Sequence, residues 1–272
     1  MTDSVPHKAT IDCHAHIFTT SMPLAKSSWT TPATDASLDR FQSTIRTFGI
    51  ERAVIAASSL HEDNVYSTEA SRAHAGLKTT VIVPPTTPMD RLTALNAAGA
   101  CGVRLQLRNR EIPDLCSPQY RRFLRDIVEL GWHVELHDDS RRLPTMINAI
   151  EESGAPLVID HFGRPGPEGT SDRGFRCVLD AVRRGRTWVK ISAAFRLEDP
   201  LEDHALASEL LSARGTDRLL WGSDWPFVGF ETQMNYAKAL ADFERAVPDS
   251  SVRSKIDQSG LQFYFGADAH PS

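Results

Sequence analysis

Cysteine is scarce: Cys13, Cys101, Cys116 and Cys177 are all there is in 272 residues, and no two form a C-x-x-C pair. A disulfide framework or a thiolate metal knot is thereby excluded, and reduced thiols in a cytoplasm are expected. No apolar run approaches the roughly 18 residues that a membrane helix needs. The opening stretch MTDSVPHKATIDCHAH lacks the apolar core of a secretory signal, so a cytoplasmic location is expected. Basic blocks interleaved with aromatics are missing too, and the formal net charge is −5, so nothing points to nucleic acid. What is present, 41% hydrophobic and 24% charged residues, describes a soluble globular enzyme-sized chain with no membrane or nucleic-acid partner.

Short β-branched runs alternate with amphipathic stretches along the chain. Strands are predicted at 10–17, 52–59, 79–85, 101–107, 132–137, 155–161, 187–192 and 218–224. Helices are predicted between them, with readable ends: Ser37 and Ser117 as caps, Pro118 in a first turn, Gly49, Gly99 and Gly131 as stops. Further helices fit 64–76, 141–153, 173–184, 201–213, 232–246 and 250–259. Eight strands each followed by a helix is the count of a (β/α)8 TIM barrel, read here as one domain over 1–272. A doubly wound sheet competes, but no glycine-rich phosphate loop follows the first strand.

In such a barrel the reactive groups sit at the C-terminal ends of the strands. Those ends supply His14 and His16, Ser58 and Ser59, Arg104, His137, Asp160 and His161, Lys190 and Ser192, and Asp224. Alternation along a strand puts His14 and His16 on one face and Cys13 and Ala15 on the other. A single strand-end histidine is more often structural than reactive. The convergence carries the argument, because burying so many polar groups has a desolvation cost that a purely structural barrel has no reason to bear.

Three segments in order, DCHAHIF, VIDHFGRP and LLWGSDWPF, resemble the amidohydrolase superfamily, and within it the branch of 2-pyrone-4,6-dicarboxylate lactonase and related lactone hydrolases. The resemblance implies an amidohydrolase-type barrel whose catalytic centre is His14, His16, His161 and Asp224. Asp224 would be the general base toward water, and the histidines, or a metal they hold, would stabilise the oxyanion. It also implies a divalent metal, Zn²⁺ by ligand type, on His14, His16, His137 and Asp224. His137 stands where the lactonase pattern has a tyrosine, so substrate contact is its other reading. That lactonase type works without a required metal, which leaves the metal's necessity open.

Arg104, Arg110, Arg164 and Arg196 fall where the same pattern has substrate-binding arginines, with Ser59 and His137 beside them. Guanidinium is suited to bidentate capture of carboxylate. The expected substrate is therefore a small anionic lactone, carboxylated or sulfonated, met in the catabolism of aromatic compounds. A decarboxylase of an aromatic or muconate acid, a sugar-lactone hydrolase, and a binding protein without turnover are the alternatives. Arg108, Arg121, Arg122, Arg183 and Arg184 read as solvated charge, and Trp221 and Trp225 as packing at the barrel end. Cys13 reads as core, facing away from the histidines. His61 and His74 fit a loop and a helix face. The aromatic tail LQFYFG is expected to dock a final helix on the barrel, with a homo-oligomer contact as the alternative.

Overall fold

Each apolar run forms a strand: β1 (Ile11–Ala15), β2 (Arg52–Ile55), β3 (Leu77–Val81), β4 (Ala100–Gln106), β5 (His133–His137), β6 (Leu157–Ile159), β7 (Thr187–Ser192) and β8 (Leu219–Gly222). In this computed structural model, which describes residues 9–61 and 64–266, they pair in parallel and in chain order. The helices are α1 (Leu38–Thr47), α2 (Val65–Ala73), α3 (Met89–Ala97), α4 (Pro118–Glu129), α5 (Leu143–Ser153), α6 (Arg173–Arg184), α7 (Asp203–Arg214), α8 (Tyr236–Ala246) and α9 (Ser250–Phe265). The expected barrel is therefore present. Ser37 and Ser117 cap α1 and α4 as their sequences predict, accepting from the amides of Arg40 and Tyr120. Among the described residues no helix is long and apolar enough to cross a membrane, and all four cysteines are free.

Several boundaries move. β3 lies earlier than the predicted 79–85, because Pro84 and Pro85 lack the amide a ladder needs and fall in the following turn. The aromatic tail is not a separate segment but the last turn and a half of α9. Trp221 packs on the outside of the sheet, stacked 5.4 Å from Phe243 of α8, and not at the barrel end.

The barrel is nearly closed, and β1 meets β8 through an unusual seam. Above, His16 N donates to Trp225 O and Asp224 N to His14 O, both at 2.8 Å. Below, the Asp12 carboxylate replaces the backbone: Oδ1 accepts from the amides of Ser223 and His14, and Oδ2 from Ser223 Oγ and Tyr236 OH. Burial raises the Asp12 carboxyl, an effect these donors only partly offset. Gly222 is required here, since a Cβ would lie 2.5 Å from His14 Cβ.

One feature of β1 overturns the alternation argument. Its register against β2 slips between Asp12 and Ala15. Cys13 therefore packs with Ile11, Val54, Val158 and Leu220 inside the barrel, whereas Ala15 packs with Ala53 and Ile55 in the outer core beneath the helices. Cys13 is core as expected, but it does not face away from His14. The bulge turns two successive residues inward, Cys13 into an apolar layer and His14 into the polar layer above it.

Candidate active site

The polar layer begins with five buried residues. Lys190 Nζ, from β7, lies 2.6 Å from Glu135 Oε2, 3.2 Å from Asp160 Oδ1 and 2.8 Å from His14 Nδ1. Arg104 of β4 pairs with Glu135 at 2.8 Å and Asp160 at 2.9 Å, and also donates to Ala57 O. Burial by itself would raise Asp160 and lower Lys190. Their mutual attraction, with Arg104 and Glu135, outweighs it and holds Asp160 well below, and Lys190 above, its ordinary value. Burial and the charge of Asp160 raise Glu135.

On this floor stands a ring of imidazoles around one carboxylate. Asp224 Oδ1 is 3.6 Å from His14 Nε2, 3.4 Å from His16 Nε2 and 3.8 Å from His161 Nε2. Its other oxygen is held by Arg196 Nε at 2.5 Å. Burial would raise the Asp224 carboxyl, but Arg196 and the neighbouring histidines hold it well below the usual range. Burial keeps His14, His137 and His161 neutral, the last pushed down to about 3. His161 Nδ1 is anchored 2.9 Å from Ser192 Oγ. The backbone is bent to suit: His161, Arg164 and Asp224 carry φ of 52°, 46° and 62°, a left-handed conformation costing a non-glycine residue about 1–3 kcal/mol.

The donor set fits a divalent cation. Tetrahedral ligands at roughly 2.0–2.2 Å from Zn²⁺ stand about 3.3–3.6 Å apart; Asp224 Oδ1 lies 3.6 Å from His14 Nε2 and 3.4 Å from His16 Nε2, and ligand atoms of all three residues lie within 4.8 Å of one another. His16 Nδ1 donates to Ala56 O at 2.8 Å, which leaves the Nε2 lone pair facing inward. His14 Nε2 is buried without a hydrogen-bond partner. Its Nδ1 has Asp160 Oδ1 as an acceptor at 3.3 Å, and the Lys190 ammonium as a competing donor. The four-residue set expected from the sequence is not assembled, however. His137 belongs to neither metal-sized group among the described residues; its ring lies 5.2 Å from that of His161, with Nδ1 3.4 Å from Gln106 Nε2.

Above the ring opens a cavity of about 510 Å³ lined by His16, His137, His161, Asp224, Ser58 and Ser59 and by five arginines, Arg104, Arg108, Arg110, Arg164 and Arg196. Two of these differ from expectation. Arg104 reaches the wall, but its nitrogens are spent on Glu135, Asp160 and Ala57, which makes it part of the floor. Arg108, read as solvated charge, lines the cavity. Its loop after β4 turns at Asn109 (φ 61°), which breaks the strand phase on which the reading relied. Glu135 and Gln106 were missed outright. The period-two spacing of His133, Glu135 and His137 in WHVELH was the available signal for the first.

The chain matches the family described as amidohydrolase over residues 11–256. It is 28% identical to 4-sulfomuconolactone hydrolase of Hydrogenophaga intermedia over 228 residues, which is 80% of this chain and 75% of that one. It is 25% identical to 2-pyrone-4,6-dicarboxylate hydrolase of Comamonas testosteroni over 264 residues, 90% of this chain and 86% of that one. A solved structure from Acinetobacter baumannii, named as a candidate 2-pyrone-4,6-dicarboxylic acid hydrolase with citric acid bound, superposes with a TM-score of 0.89. It is 29% identical and covers 95% of this chain and 99% of its own.

Proposed function

The chain belongs to the amidohydrolase family, and from that premise we propose that it is a lactonase that opens an anionic ring ester bearing carboxylate or sulfonate groups. One observation carries the reading: a single cavity joins an ionised, histidine-ringed carboxylate at its floor to a wall of arginines. The relatives' names, on sulfomuconolactone and pyrone dicarboxylate, belong to the same chemical class.

Arg196 keeps Asp224 ionised through Oδ2, so Oδ1 is free to take the proton of a water held beside it. Attack of that water oxygen on the lactone carbonyl makes a tetrahedral oxyanion. A protonated imidazole nitrogen at His14 or His161 would donate to it. Collapse breaks the bond to the ring oxygen, which receives the proton that Asp224 has held. The new carboxylic acid gives the water's other proton to solvent, so the product carries one more carboxylate than the substrate; Arg110, Arg164 and Arg196 would accommodate these negative charges, with His137 and Ser59 completing the contacts.

His14, His16 and Asp224 would hold the divalent cation, Zn²⁺ by donor type, which when bound supplies Lewis acidity toward the carbonyl and acidifies water. The four free cysteines suit a reducing cytoplasm. A pH-indicator assay on lactones matched in ring but differing in acidic groups tests the reading. Turnover confined to carboxylated or sulfonated members is expected; turnover of neutral sugar lactones alone would refute it.

A further inference from the structure

Four of the five tryptophans are accounted for by packing. Trp132 donates to Asn96 Oδ1 at 2.8 Å, Trp188 packs on Phe263, Trp221 stacks on Phe243, and Trp225 lies against Phe41. Trp29, in the loop after β1, is 56% exposed, and among the described residues its indole has neither a ring partner nor a hydrogen bond. It does not stand on open surface, however, because it lines the active-site cavity.

The indole is held in place. Ala25 N donates to Leu60 O at 2.8 Å, Ser28 N to Ala25 O at 2.9 Å and Ser28 Oγ to Thr30 O at 2.7 Å, while Arg110 donates to Ser27 Oγ at 2.6 Å. Its benzenoid edge rests against Gly229, where a Cβ would stand 3.3 Å from Cη2 and 3.5 Å from Cζ3. The segment carrying that glycine is clamped to the reacting carboxylate, since Arg196 donates to both Asp224 Oδ2 and Val228 O. Indole and Asp224 are thereby fixed relative to each other.

The cavity lining is divided by element. Four of its five arginines come from β4 and β6 and the loops after them, whereas every apolar group comes from the loops after β1, β2 and β8: Trp29, Leu60, Val228, Gly229 and Phe230. With strands in chain order around the barrel, these loops lie across the mouth from β4 to β6. Phe230 is already covered by Phe195 and by the Arg196 guanidinium. The Trp29 indole is the uncovered benzenoid face of the lining.

We propose that Trp29 is a specificity-determining residue whose indole stacks on the ring of the substrate and selects a flat, conjugated lactone over a saturated, puckered one carrying the same acidic groups. The assignment rests on the lactonase reading and narrows its substrate to a conjugated ring. A flat ring brings all of its atoms to the indole at the optimum of about 3.5–4.0 Å and adds offset stacking, whereas a puckered ring touches through a few axial hydrogens.

Calorimetric titration with benzene-1,3-dicarboxylate and cis-cyclohexane-1,3-dicarboxylate, alike in charge and substitution, tests it without turnover. The wild-type protein is expected to bind the flat probe about five- to tenfold tighter. Trp29→Leu should erase that margin by weakening the flat probe, and Trp29→Phe should keep part of it. Thermal scans should place both variants near wild type, because the indole is mostly exposed. Equal wild-type affinity for the two probes, no measurable binding of the flat probe at millimolar concentration, or a margin that survives Trp29→Leu overturns the assignment. A margin without hydrolysis of any acidic lactone removes the lactonase reading and leaves the stacking site standing; hydrolysis without the margin does the reverse.

Discussion

Two layers of one barrel interior follow opposite rules. The lower is apolar, with Ile11, Cys13, Val54, Val158 and Leu220 closed off by Tyr264 and Phe265 of α9. The upper, nearer the C-terminal ends of the strands, is His14, Arg104, Glu135, Asp160 and Lys190, all buried. Val158 gives way to Asp160 on β6, and His133, under the rings of Phe263 and Tyr264, gives way to Glu135 on β5. The lower layer would suffice to hold the strands together. A buried ion cluster is weak evidence for stability, because its desolvation cost can exceed its attraction. The upper layer is explained by what stands on it, a set of imidazoles aimed at one carboxylate oxygen.

The largest effect should come from removing that carboxylate. Asp224→Asn is expected to lower kcat by about 10²–10⁴-fold, and to lower the melting temperature as well, since Arg196 loses the carboxylate it is paired with. Steady-state hydrolysis and a thermal scan of the same sample check both halves; wild-type turnover would displace Asp224 from its role.

A matched pair of substitutions then sets the layers against each other. Lys190→Met leaves Glu135 and Asp160 with Arg104 as their remaining cation, at a cost of about 3–5 kcal/mol, and lowers kcat/KM as His14 loses its support. Leu220→Ala in the lower layer costs about 3 kcal/mol and leaves kcat/KM within about twofold of wild type. Urea unfolding and initial rates on both variants distinguish them. A loss of activity in Leu220→Ala equal to that in Lys190→Met would erase the division.

The smallest effect is a slope. Burial pushes His133, in the lower layer, and His161, in the upper, down to about 3. Between the ordinary value of about 6.5 and that folded value, the unfolded chain binds protons that the native one does not, so stability falls as pH falls. Asp160 and Asp224, depressed in the fold, add stability above about 4 that is lost in stronger acid. Denaturant unfolding at pH 7 and pH 5 should therefore show a drop. His133→Gln should reduce it with activity kept, and His161→Gln should reduce it with activity lost; an equal stability at both pH values would contradict neutral burial.

How far the sequence reached varies from element to element. The eight strands were legible because each is buried on both faces and reads as a continuous apolar run, and Ser37, Ser117 and Pro118 marked helix starts through chemistry local to a few residues. His14, His16, His161 and Asp224 could be gathered into one place because strand order in a barrel is chain order. Glu135 was passed over because a glutamate inside a strand carries no local sign that Lys190, 55 residues away, lies 2.6 Å from it. Arg108 looked like surface charge because loop direction depends on backbone bends that periodicity does not encode.

The amino-acid order by itself determined the barrel and the set of polar groups at its mouth, since these follow from side-chain period and chain-order topology. Only the tertiary structure decided that Cys13 and His14 both turn inward across a bulge, that Arg104 belongs to the floor, and that His137 stands apart from the His14, His16 and Asp224 group. Such outcomes depend on register shifts and on ångström distances between residues far apart in the chain. No spacing in the sequence specifies them, because they are set by the packing of all eight strands at once.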